Sequence, residues 1–146
     1  MGVKEDLEAR IGEVTGVGEW HTVTQADIDK FADATRDHQW IHVDAERATR
    51  GPFGSTIAHG FMTLALIPGI GPRLEVTGVA MIINYGLERV RFVSPVPAGS
   101  RVRVVSELAA VSETTKGVRV NERVTVELEG SDRPACVAET VILLVP

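Results

Sequence analysis

The spacing of apolar residues changes character part-way along the chain. In the first half the repeats are helical. Thr24 reads as an N-cap, with Asp27 three residues later in an approximate capping box. Ile28, Phe31, Ala32 and Thr35 follow at helical spacing, so a helix is expected to run to about Arg36. A second, short helix is expected from the cap Asp44 to about Arg50, where Gly51 and Pro52 stop it. The intervening residues 37–42 read as a loop. Residues 54–67 are apolar almost all the way round, which predicts a helix buried on every side. Pro68, Gly69, Gly71 and Pro72 should end or kink it.

From Val79 onward the period is two. Val79–Phe92 reads as one long strand, with Gly86 as a candidate bulge. Arg101–Val111 is a second strand, Val118–Glu129 a third and Ala135–Val145 a fourth. In the third, Val118, Val120, Val124, Val126 and Leu128 face one way, and Arg119, Asn121, Arg123, Glu127 and Glu129 the other. Helices first and strands after predict an α+β domain. Its antiparallel sheet is expected to lay its apolar face over the buried helix.

With 146 residues the chain has the size of one domain, and 44% apolar residues suffice for a core. The formal net charge of −5 argues against a nucleic-acid partner, which requires a concentrated basic face. One cysteine, Cys136, permits neither an intrachain disulfide nor a cysteine-based zinc site. The N-terminus is charged where a signal peptide is greasy, and the apolar run 57–70 is too short to span a bilayer. A cytoplasmic protein without membrane contact is expected.

The first candidate for chemistry is Asp37 with His42. On a helix, five residues would set them roughly 140° apart, but in a loop they can converge. A carboxylate beside an imidazole suits proton transfer near neutral pH. The same spacing is also met by an aspartate that caps a helix end and a histidine packed in a loop. The second candidate is His59-Gly60 ahead of the apolar helix. Backbone N–H groups at a helix start lack intrahelical partners and can bind an oxyanion; a helix start that simply requires a small residue is the alternative. Asn84 and Tyr85 interrupt an apolar strand. The four histidines show no HxH or HExxH spacing, so no metal is expected.

Together these residues resemble a known family. Residues 31–48, with Phe31, Asp37 and His42, resemble the hydratase signature of the MaoC-like dehydratases, the (R)-specific enoyl-CoA hydratases. Residues 57–64 resemble the start of that family's central helix, and residues 84–99 the strand and turn after it, most closely in the NodN-like branch. The resemblance covers roughly residues 15–145. It implies that residues 1–146 form a single hot-dog domain, a long central helix wrapped by a curved antiparallel sheet, and a homodimer with clefts near the subunit contact. It implies that Asp37, His42 and the Gly60 N–H are catalytic in hydrating a trans-2-enoyl thioester, or in the reverse dehydration, with no cofactor. The substrate would be carried on CoA or acyl carrier protein. Gln39, Trp40, His59 and Asn84 are read as substrate contacts. Arg36 stands where the family usually has Gly, Gln39-Trp40 replace Asn-Pro, and Pro68 replaces a serine found in some members; these departures bear on the acyl pocket. A hot-dog thioesterase and a non-catalytic acyl-thioester-binding module are the competing readings.

Overall fold

The computed structural model describes residues 2–146. Its elements in order are α1 (Val3–Glu8), β1 (Val14–Val17), β2 (His21–Thr22), α2 (Gln25–Thr35), α3 (Trp40–Val43), α4 (Ala45–Thr49), α5 (Gly60–Ile70), β3 (Met81–Phe92), β4 (Arg101–Thr114), β5 (Gly117–Leu128) and β6 (Cys136–Val145). The strands form one antiparallel sheet in the order β1-β4-β5-β6-β3, with β2 also paired to β4.

The period-two pattern of β5 holds because only one face of the sheet is covered. Val120, Val124 and Val126 are buried, as are Val102, Val104 and Leu108 on β4. Of these, Val102, Val104, Val124 and Val126 pack with Met62 and Ile67 of α5, and with Val23 and Ile28 around the start of α2, in the main core. A smaller cluster of Leu7, Leu74, Leu108, Val120 and Leu144 closes the far end of the sheet beneath α1. Two residues break the apolar rule on this face, Ser106 on β4 and Glu122 on β5. Glu122 is only 9% exposed, and its carboxylate accepts the Thr15 hydroxyl at 3.4 Å.

The α2 prediction holds in detail: Thr24 Oγ1 accepts the Asp27 N–H at 3.1 Å, and Arg36 is the C-cap. Asp44 caps α4 by accepting from the Arg47 N–H at 3.0 Å. Elsewhere the structure departs from the pattern. The segment expected as a loop contains the single turn α3, and α5 is three turns long, beginning at Gly60 and ending at Ile70. Pro68 is tolerated in its last turn. In β3 the register shifts between Asn84 and Gly86 and again between Leu87 and Arg89, so the residues out of register are Tyr85 and Glu88.

The expectation of a helix buried on every side fails for α5. Phe61 is 71% exposed, and β3, at the edge of the sheet, exposes Met81, Ile82, Ile83, Tyr85, Leu87 and Phe92. Among the described residues no helix is long and apolar enough to cross a membrane.

Candidate active site

The site is built where α2 ends. Arg36 takes the left-handed conformation (φ 65°, ψ 19°), which reverses the chain and releases Asp37 from the helix. A side chain other than glycine in that conformation costs about 1–2 kcal/mol. The chain then makes the α3 turn, which carries His42 inward to 6% exposure.

His42 is held from two sides. Its Nδ1 lies 2.7 Å from the Ile57 carbonyl oxygen. A carbonyl only accepts, so Nδ1 carries the proton and Nε2 is left with a free lone pair. The Ile57 carbonyl is itself fixed, because residues 56–58 are clamped as a short extended segment. Ile57 N–H donates to the Ile41 carbonyl at 3.0 Å, Ala58 N–H to Val96 at 2.8 Å, and Ala98 N–H to Thr56 at 2.9 Å.

Asp37 is exposed, and one of its carboxylate oxygens lies within 4.8 Å of a ring nitrogen of His42 and one of His59. Proximity of three such groups is also the mark of a metal site. Here the two imidazoles are stacked, with centroids 3.8 Å apart and planes inclined by 23°. In-plane lone pairs of stacked rings run side by side and do not converge on one ion, as tetrahedral coordination requires.

His59 is the N-cap of α5 and Gly60 its first residue. Among the described residues, the N–H groups of Gly60 and Phe61 have no hydrogen-bond partner. They are unpaired donors at the positive end of the helix dipole, beside the Asp37–His42 pair. Gly60 also answers a packing demand, since a Cβ there would lie 2.7 Å from the Phe92 ring.

The chain matches the family model described as "MaoC like domain" over residues 6–130. It is 56% identical over 139 residues to 3-hydroxyacyl-thioester dehydratase Z of Mycobacterium tuberculosis, covering 94% of this chain and 92% of that protein. It is 47% identical to nodulation protein N of Rhizobium leguminosarum bv. viciae, over 95% of this chain and 89% of the other. Among solved structures, the (R)-hydratase from A. caviae involved in PHA biosynthesis superposes with a TM-score of 0.74 at 25% identity, covering 90% of this chain and 96% of that one. This chain belongs to the MaoC-like dehydratase family. Its hot-dog architecture, a helix held against one antiparallel sheet, follows the family.

Within this MaoC-like domain the structure brings Asp37, His42, His59 and Gly60 together. Gln39 is exposed; its N–H donates to the Asp37 carboxylate at 3.4 Å. Trp40 is half-buried beneath the Arg47 guanidinium, 4.2 Å from the ring centroid. Asn84 is not brought near the pair in this chain. It stands eight residues up β3 from Phe92, on the order of 25 Å along an extended strand.

Gln25 escaped the sequence reading. Its Nε2 donates to the His42 carbonyl at 2.8 Å and to Asp29 at 2.9 Å, while its Oε1 accepts from the buried Thr56 hydroxyl. It ties the turn that carries His42 to the strand leading into His59. Nothing in the sequence distinguishes it from any polar residue opening a helix. Cys136 is buried in β6, and burial pushes its thiol pKa up, so it offers no reactive thiolate.

Proposed function

We propose that this chain catalyses the (R)-specific hydration of trans-2-enoyl thioesters to 3-hydroxyacyl thioesters, or the reverse dehydration, as one MaoC-like unit spanning residues 1–146. The observation that carries the reading is the approach of the Asp37 carboxylate to the His42 ring beside the unpaired N–H groups at the start of α5. The names of the relatives, a 3-hydroxyacyl-thioester dehydratase and an (R)-hydratase, support the same chemistry.

Asp37 and His42 Nε2 hold one water between them. As its oxygen attacks C3, the pair takes a proton from the water, and a proton is delivered to C2 from the same face, giving syn addition. The two groups act as a unit that gives up one proton and receives one. Negative charge develops on the thioester oxygen, where the Gly60 N–H and the dipole of α5 receive it. One such donor is typically worth about 10²–10³ in rate. No metal or redox cofactor enters these steps.

The acyl chain requires an apolar pocket. Two surface hollows, of about 290 Å³ beside Trp20, Arg103 and Glu127 and about 220 Å³ beside Val3, Val79 and Leu144, include none of Asp37, His42 and Gly60. The apolar surface near Gly60 is the exposed one of Phe61 and Phe92, whose rings meet edge to face at 5.9 Å. We infer that a second copy covers it, so the pocket belongs to a homodimer. Antiparallel pairing of two β3 edges carries Asn84 of each copy toward the Phe92 end of the other, which is where a substrate contact from Asn84 would arise. The thioesters are those of CoA or acyl carrier protein, and the reaction belongs to the cytoplasm.

The test is a spectrophotometric hydration assay across trans-2-enoyl-CoAs of increasing length, with chiral analysis of the product. Loss of enoyl absorbance without free thiol, giving the (R)-alcohol, is expected. Thiol release would make the protein a thioesterase instead. Asp37→Asn and His42→Ala should each lower kcat by about 10²–10⁴-fold with the circular dichroism spectrum unchanged; near-normal turnover in either would refute the pair.

A further inference from the structure

His59, read from the sequence as a substrate contact, is almost sealed from solvent. It is 3% exposed. Its ring lies between two others, Phe31 of α2 at 4.9 Å and His42 at 3.8 Å. Its Nε2 is 3.0 Å from the main-chain carbonyl oxygen of Asp37. Its Nδ1 is buried without a hydrogen-bond partner among the described residues.

These four facts assign the ring a single preferred form. The Asp37 carbonyl accepts, so Nε2 carries the proton. A proton on Nδ1 in its place would be a buried donor with no acceptor. From its position as N-cap of α5, one side chain therefore touches both members of the catalytic pair: it bonds the backbone of Asp37 and stacks on the ring of His42.

We propose that His59 is a positioning residue, an Nε2–H imidazole strut that fixes the Asp37 turn and the His42 ring plane relative to each other. It neither binds substrate nor transfers a proton. This rests on the hydratase reading above for its consequence in rate, while the strut itself is a property of the folded chain. A displacement of about 1 Å in a reacting group can cost on the order of 10²-fold, and among the described residues nothing else bonds the Asp37 carbonyl.

The variants separate ring from donor. His59→Phe keeps a flat ring for the stack and loses the N–H. His59→Gln keeps a donor at nearly the reach of Nε2. With crotonyl-CoA, His59→Phe should lower kcat by about 10²-fold at unchanged KM, and His59→Gln should recover most of that loss. Both limbs of the pH–rate profile should survive in His59→Phe. Wild-type kcat in His59→Phe, a rise in KM alone, or loss of one limb would each overturn the proposal; the last two would make His59 a substrate contact or a proton carrier. Wild-type protein supplies a readout that requires neither folding of a variant nor activity. Long-range ¹H–¹⁵N correlation spectra should show His59 as the Nε2–H tautomer at neutral pH. An Nδ1–H tautomer, with no proton on Nε2, would sink the strut. A wild-type protein that hydrates no enoyl thioester would refute the hydratase reading, and the tautomer would then decide the strut by itself.

Discussion

Glu122 lies among valines on the covered face of β5, a carboxylate where the alternation calls for an aliphatic residue. Burial disfavours its charged form and pushes its pKa up, against the smaller opposing effect of the Thr15 hydroxyl. A group that titrates higher in the folded state than in the unfolded one takes up protons on folding. Its contribution to stability is therefore fully present below the ordinary glutamate range (~4.3) and is lost as pH rises through the folded value. Where it is ionised, the buried carboxylate is a net cost. Glu122→Gln should accordingly raise the melting temperature at pH 7, and the advantage should shrink steadily toward pH 4. Thermal denaturation of both proteins across that range checks it; a gap independent of pH would mean that burial does not perturb Glu122.

At the scale of elements, α5 serves the core and, in the proposed reaction, the oxyanion. Gly60 is needed for space against Phe92 and supplies an unpaired N–H at the helix start. Replacing it with alanine changes the first and leaves the second. Gly60→Ala should lose activity because the Phe92 ring is driven off its seat, and Gly60→Ala with Phe92→Leu should regain most of it relative to Phe92→Leu alone. Continued inactivity of the double variant, with the fold intact by circular dichroism, would show that α5 requires glycine for more than room. The same elements show what the sequence carries. The strands β4 to β6 were legible because a sheet covered on one face writes a period of two, and α2 and α4 were legible through the caps Thr24 and Asp44. The strands β1 and β2 have four and two residues and exist by pairing with β4, more than 75 positions away, so no local pattern announces them. Asp37 and His42 stand out by residue type and by the loop between them. The roles of Gln25 and His59 depend on bonds spanning 17 and 22 positions, which spacing along the chain does not express.

For the molecule as a whole, the residues on β3 and Phe61 of α5 are the ones an isolated copy cannot account for. An apolar residue reads the same in a sequence whether its own sheet or another copy covers it, so the exposed side of α5 was read as buried. Contiguous exposed apolar surface of this kind marks an association site, and an edge strand with free backbone groups adds a means of pairing. A two-fold contact repeats every change twice, so one charge introduced on β3 is felt from both sides. Leu87, 47% exposed, stands on this edge about five residues from Phe92, clear of Asp37 and His42. Leu87→Lys should convert the protein from a species of twice 15.7 kDa to one of 15.7 kDa in sedimentation equilibrium. Hydration activity should fall with it, because on the proposed dimer each acyl pocket would lose the wall contributed by the other copy. Two results would separate assembly from chemistry. A wild-type protein that sediments as a monomer at full turnover would remove the dimer from the mechanism, whereas a monomeric variant that regains activity at high protein concentration, as mass action requires, would tie the pocket to the contact.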